Sequence, residues 1–171
     1  MRKYFSYLFV FFLLLKFSVF PAIGSEDYFI PDYLKFENAT YKSNIKTVTL
    51  APDNAPLSFP IIELNSLDQL LLGFDDLEAD RKTYNYTLIH CDASWNPSNL
   101  VHSEYLAGFS EEQILDYRFS FNSIQRYTHY SLFFPTEGIK ITKSGNYIIK
   151  VFQDYEAGNL VFTRRFLVYD K

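Results

Sequence analysis

The stretch YNYTLIHC, residues 84–91, alternates two kinds of side chain. Tyr84, Tyr86, Leu88 and His90 fall on one face of an extended segment, because successive side chains of a β-strand point to opposite sides. The residues between them, beginning with Asn85, form a more mixed second face. This pattern predicts a strand of an antiparallel sheet that is covered on one side.

The same period of two recurs along most of the chain, and Gly, Pro, Asn and Asp separate the apolar runs. We predict strands at residues 45–50, 57–64, 69–75, 83–91, 117–122, 129–134, 145–153 and 160–169. Simple alternation is lost at Arg164 and Arg165, where we expect a β-bulge. Residues 97–113 are the one candidate for a short helix or a long loop. The predicted fold class is all-β, an immunoglobulin-like or fibronectin III-like antiparallel β-sandwich of about eight strands.

The composition supports a folded domain and argues against a nucleic-acid partner. The chain has 171 residues, of which 48% are hydrophobic and 19% aromatic, and its formal net charge is −4. Phosphate binding requires a basic surface, which this charge balance does not provide. The single cysteine, Cys91, allows no intramolecular disulfide, so the apolar core must stabilise the fold.

The first 24 residues have the features of a signal peptide. Two early cations precede an apolar run from Tyr4 to Phe20, and small residues occupy the positions before a cleavage site after Gly24. An uncleaved N-terminal anchor is the alternative, although the run is short for a membrane span. We predict a signal peptide at 1–24, a lead-in segment at 25–44 and the β-sandwich domain at 45–171, with no transmembrane span in the mature chain.

The residues that could carry chemistry do not form a catalytic site. His90 and Cys91 are neighbours on a predicted strand, so their side chains point to opposite faces and cannot act together. The histidines lack the spacing of a zinc site. The acidic run from Asp75 to Asp80 could offer oxygens to calcium but lacks an EF-hand pattern, and a solvated loop balanced by Arg81 and Lys82 explains it better. We therefore predict no enzyme activity, no cofactor and no metal.

Aromatic residues near the middle of the chain are candidate contacts for a partner. Trp95 lies in a polar loop, and Tyr105 and Phe109 follow it. These side chains could pack on an end of the sandwich, anchor a protein interface or stack on sugar rings. We predict protein binding through Trp95, Tyr105 and Phe109.

Several strings, taken in order, resemble one known family. They are NIKTVTL at 44–50, PIIELNSLDQLLLGFDDLEAD at 60–80, YNYTLIHCDASWNPSNL at 84–100, EYLAGF at 104–109, YTHYSLFFP at 127–135, KSGNYIIKVF at 143–152 and TRRFLV at 163–168. Together they resemble the first domain of the type IX secretion system plug protein.

This resemblance implies a non-enzymatic protein of the periplasm that is peripherally associated with the outer membrane. Its partner would be the outer-membrane translocon barrel, whose periplasmic mouth it would occlude until a substrate or shuttle component displaces it. Relatives in this family continue for hundreds of residues beyond the point that corresponds to Lys171. The alternative is a secreted carbohydrate-binding or adhesin-like β-sandwich that uses exposed aromatic platforms.

Overall fold

The computed structural model describes residues 34–171. This part of the chain forms twelve β-strands and one short helix, joined by loops. The strands are β1 (Ala39–Thr40), β2 (Ile45–Pro52), β3 (Ile61–Glu63), β4 (Leu70–Asp76), β5 (Tyr84–Cys91), β6 (Leu106–Gly108), β7 (Glu112–Ile114), β8 (Asp116–Phe119), β9 (Thr128–Phe134), β10 (Ile139–Ile141), β11 (Gly145–Gln153) and β12 (Leu160–Tyr169). The helix, α1, is His102–Tyr105. The predicted signal peptide at 1–24 lies outside the described residues.

The strands form two main sheets. The larger sheet has the order β1-β12-β11-β5-β7, with β3 also beside β12, and the smaller sheet has the order β2-β4-β9-β8. Strands β6 and β10 form a separate antiparallel pair. Pairing is antiparallel throughout the two main sheets except between β3 and β12.

Aromatic side chains from both sheets meet in one core. Phe74 of the smaller sheet packs edge-on against Tyr84 and Phe162 of the larger sheet, with ring centroids 5.1 and 5.0 Å apart. Phe134 and Phe166 make a second contact between the sheets, at 5.2 Å. All five side chains are buried. Such edge-to-face pairs add to the free energy gained from apolar burial, so these five rings help to hold the two sheets together.

The predicted all-β class and antiparallel pairing are confirmed, but the strand number is wrong for the described residues. Each of the eight predicted strands has a counterpart, while β1, β6, β7 and β10 were not predicted. These four have only two or three residues, too few to show a period of two. The immunoglobulin-like or fibronectin III-like assignment is not confirmed.

Two local predictions need correction. The strand predicted at 57–64 is reduced to β3, because Pro60 lacks an N–H group; Leu57 and Phe59 lie in the preceding loop, almost fully exposed. The expected bulge at Arg164 and Arg165 is absent, since both pair regularly with β11. The register shift lies earlier in β12, where Val151 pairs with Phe162 and Phe152 with Leu160.

The described part of the predicted lead-in belongs to the fold. β1 pairs with β12, and the Thr163 hydroxyl donates to the carbonyl of Glu37 at 2.7 Å. The Arg165 guanidinium also donates to the carbonyl of Phe36. Residues 36–41 therefore lie along the edge of the larger sheet. Within residues 34–171, no helix has the length and hydropathy needed to cross a membrane.

Candidate docking surface

Trp95 lies on a tight loop that follows β5. The backbone N–H of Trp95 donates to the carbonyl of Asp92 at 3.0 Å, and that of Asp92 donates to the carbonyl of Asn96 at 2.8 Å. The Asp92 carboxylate accepts backbone N–H groups from Asn96 at 2.9 Å and Ser94 at 2.8 Å. These hydrogen bonds hold the pKa of Asp92 below its ordinary value, and the bond from the Asn96 N–H has the largest effect. They also hold Trp95 at φ 66°, a conformation that a residue with a Cβ adopts only when its surroundings impose it.

The Trp95 ring is half-buried against β12. The guanidinium carbon of Arg165 lies 4.3 Å from the ring centroid, in a cation–π contact. A concavity of about 210 Å³ opens beside the ring and is lined in part by Phe59 and Ile61. Phe59 is 82% exposed. The indole edge and the Phe59 ring together form an accessible aromatic surface.

Tyr105 is not part of that surface. Its side chain is 3% exposed and packs between His90 and Tyr147, with ring centroids 5.7 and 6.1 Å away. Its hydroxyl donates to the carbonyl of Leu88, and burial raises its pKa. In this conformation Tyr105 supports the core and its ring is not available to a partner.

Phe109 is exposed on the segment that follows β6. Its side chain is 67% exposed, and its backbone N–H donates to the carbonyl of Gly138 at 2.7 Å. The preceding residue, Gly108, has φ 103°, and a Cβ at that position would overlap the Gly138 carbonyl oxygen. Gly108 is therefore required for the close approach that presents Phe109. The residues that line the concavity beside Trp95 do not include Phe109.

The neighbours His90 and Cys91 are placed as the strand alternation predicts. The His90 ring packs edge-on against Tyr147, with centroids 5.1 Å apart, on the core side of the sheet. Cys91 is buried, and desolvation raises the pKa of its thiol to about 11. The thiol is therefore protonated at neutral pH, and its side chain points away from the imidazole.

The acidic run after β4 is organised around a lysine. The ligand oxygens of Asp76, Glu78 and Asp80 lie within 4.8 Å of one another. The Lys82 ammonium group donates to Asp76 at 2.8 Å, also contacts Glu78, and lies 3.5 Å from Asp80. Asp76 is fully buried and accepts further hydrogen bonds from the Asn44 amide and the Tyr84 hydroxyl, at 2.6 and 3.0 Å. The cluster is therefore a set of ion pairs between the end of β4 and the segment that connects β4 to β5.

Sequence reasoning missed a second exposed apolar surface, around β8. Leu115, Phe119, Phe121 and Ile124 are 68%, 58%, 96% and 110% exposed. The alternation over residues 117–121 gave a signal for a strand with one apolar face. It could not reveal that Phe119 and Phe121 remain exposed on that face, because coverage depends on the position of a different part of the chain.

One family model matches most of this chain. Residues 45–170 match the family model described as "Type 9 secretion system plug protein 1st domain". No curated protein matches this sequence. The crystal structure of a hypothetical protein from Parabacteroides merdae ATCC 43184 is similar, with 31% sequence identity, a TM-score of 0.75, and coverage of 80% of this chain. This chain spans 34% of the length of that protein.

One further solved structure is much less similar. It is the Pseudomonas fluorescens alkylpurine DNA glycosylase AlkC bound to DNA containing an abasic site analog, with 10% identity and a TM-score of 0.36 over 73% of this chain and 30% of that one. Similarity at this level carries no argument about fold or function. The family model, in contrast, covers nearly all of the described β-structure, and the chain belongs to the type 9 secretion system plug protein family, with residues 45–170 as its first domain.

Proposed function

We propose that this protein is a non-enzymatic periplasmic component of the type IX secretion system, which associates with the periplasmic mouth of the outer-membrane translocon barrel and occludes it. The observation that carries the proposal is the family match over residues 45–170. The family indicates a secretion component of the cell envelope. The barrel as the partner, occlusion of its mouth, and export through a cleaved signal peptide at 1–24 are the proposed steps beyond that.

A docking role is compatible with the fold and its exposed side chains. Two sheets joined by aromatic contacts give a rigid body, which loses little conformational entropy on binding. Trp95 with its neighbour Phe59 offers an aromatic surface, and Phe109 offers a second exposed ring. Aromatic residues of this kind often dominate the free energy of an interface. We place the barrel contact on Trp95 and Phe109, with Tyr105 as a supporting core residue.

Co-purification from membranes tests the contact. A folded Trp95→Ala/Phe109→Ala variant should recover about tenfold less translocon barrel than the wild type, because two aromatic anchors are lost. Tyr155→Ala is the matched control, since this ring is 70% exposed on a different loop. Undiminished recovery with the folded double variant would remove these residues from the interface.

Occlusion is tested separately in cells. Cells that lack this protein should admit a hydrophilic dye too large for ordinary porins, and the wild-type gene should restore the barrier. The double variant should restore it poorly. Equal dye exclusion with and without the protein would contradict occlusion while leaving membership of the secretion system intact.

The carbohydrate-binding alternative has less support from the Trp95 geometry. Sugar rings stack on an open aromatic face, and the Arg165 guanidinium already covers one face of Trp95. We expect no selective binding on a glycan array, and selective binding abolished by Trp95→Ala would favour the alternative.

A further inference from the structure

Strand β8 forms an edge of the smaller sheet, and its apolar face is only partly covered within residues 34–171: Tyr117 packs against the core and under the Arg81 guanidinium, while Phe119 is exposed. It pairs with β9, and no strand within residues 34–171 pairs with its other edge. In the register with β9, Tyr117 lies opposite Tyr130 and Phe119 opposite Thr128. Tyr130 and Thr128 are buried on the core side, so Tyr117 and Phe119 face the same way. The larger sheet does not reach that far, which leaves Phe119 58% exposed.

The backbone of β8 has hydrogen-bonding groups free at this edge. Ser120 donates its backbone N–H to the carbonyl of Tyr127 at 2.9 Å, which identifies the residues of β8 that bond to β9. Because these alternate along an antiparallel strand, Asp116 and Arg118 also bond to β9, and the N–H and C=O groups of Tyr117 point outward. The same holds for Phe119, two residues further along β8. Exposed edges of this kind are templates for a further strand.

The sequence of this edge is complementary to itself. Residues 115–119 read Leu-Asp-Tyr-Arg-Phe, in which apolar, acidic, aromatic, basic and apolar side chains follow one another. In an antiparallel pair of two such strands centred on Tyr117, residue numbers that face each other add up to 234. Asp116 then faces Arg118 of the other strand, and Leu115 faces Phe119.

We propose that β8 pairs with β8 of a second copy of this chain, antiparallel about a two-fold axis at Tyr117, so that the two smaller sheets become one continuous sheet. Tyr117 forms a backbone hydrogen-bonded pair with Tyr117 of the second copy, and each Phe119 lies opposite Leu115. Each Asp116 faces Arg118 of the other copy in a non-hydrogen-bonded pair, the type of pair in which side chains are closest. The contact therefore contains two pairs of opposite charges. On the core side, each exposed Leu115 is covered by a Phe119 ring.

The size of the contact predicts a weak, reversible dimer. The exposed parts of Leu115 and Phe119 amount to on the order of 250 Å² per copy, compared with about 800 Å² per partner in a standard stable interface. Self-complementarity of both charge and apolar pattern is what a two-fold interface requires. A second copy therefore fits this edge, with association that depends on concentration.

Charge reversal and restoration test the pairing. Sedimentation equilibrium of the wild-type protein should show a monomer–dimer equilibrium. Arg118→Asp should weaken dimerisation at least tenfold because it places acidic side chains opposite each other. The double variant Asp116→Arg/Arg118→Asp should restore it, since the charges are complementary again. Arg126→Asp, an exposed site beyond β8, is the matched control and should dimerise like the wild type.

The register is tested by a disulfide that needs two different variants. Asp116→Cys mixed with Arg118→Cys should cross-link efficiently under mild oxidation, whereas either variant alone should cross-link poorly, because residue 116 faces 118 and not itself. A wild-type protein that remains monomeric at its highest soluble concentration would overturn the proposal and leave this edge to a different partner. A dimer that ignores charge reversal, or cross-links equally well from each variant alone, would overturn it as well.

Discussion

Asp76 is the buried member of an ion cluster whose other carboxylates are exposed. Burial alone would raise its pKa, but hydrogen bonds from Lys82, Asn44, the Glu78 backbone and Tyr84 together hold that pKa below its ordinary value. The carboxylate is therefore charged inside the protein and depends on these donors. Removing one donor leaves a charged group with too few partners in a place that water does not reach.

Lys82→Met should destabilise the fold by about 2 kcal/mol, less than the largest losses from buried ion pairs, because the Asn44 and Tyr84 hydrogen bonds to Asp76 remain. Chemical denaturation at neutral pH measures the change in the free energy of unfolding. Lys140→Met, at an exposed lysine in β10, is the control and should change stability by less than about 0.5 kcal/mol. Equal stability of Lys82→Met and wild type would show that the cluster is not important for folding.

The pH dependence of stability follows from the same carboxylate. Because the pKa of Asp76 is lowered in the folded state, its stabilisation is fully present above its unfolded pKa of about 3.9 and is lost as the pH falls through the lower folded value. Asp76→Asn removes this titrating group, so the free energy of unfolding should fall less steeply below about pH 4 in the variant than in the wild type. Identical acid profiles from denaturation at a series of pH values would contradict this role.

At the scale of elements, long strands are predictable from the sequence and short ones are not. The bounds predicted for β11 and β12 agree with the structure, since nine or ten residues give several repeats of the period of two. β6 and β10 have three residues each and form because the chain around them brings their backbones together. The burial of Tyr105 was missed for a related reason, because a four-residue helix packs it against strands distant in sequence.

The loop after β5 gives a prediction with a direct optical signal, since Trp95 is the single tryptophan. Asp92→Ala removes the carboxylate that accepts the Ser94 and Asn96 N–H groups, so the ring should leave Arg165 and its fluorescence emission should shift to longer wavelength. Asp53→Ala, at an exposed carboxylate in another loop, should leave the emission unchanged. Wild-type emission should itself shift only below about pH 4, because the lowered pKa keeps Asp92 charged above that. An unaltered spectrum in Asp92→Ala would mean that the backbone alone holds this loop.

At the scale of the whole molecule, the two sheets should unfold together, because Phe74 contacts both. Its ring stacks on Tyr130 of its own sheet at 5.1 Å and meets Tyr84 and Phe162 of the other edge-on. Phe74→Ala should cost about 4 kcal/mol through lost burial and the cavity left between the sheets. Phe121→Ala, at a ring that is 96% exposed, should cost less than about 0.5 kcal/mol.

Two probes distinguish a joint transition from separate ones. Trp95 fluorescence reports on the larger sheet, while far-UV circular dichroism reports on all strands. Their denaturation curves should coincide in the wild type and move together to lower denaturant in Phe74→Ala, as two-state unfolding requires. A circular dichroism curve with a second step that the fluorescence lacks would mean that the sheets are separate cooperative units. The aromatic contacts between them would then not be strong enough to make this domain the rigid body that a docking role needs.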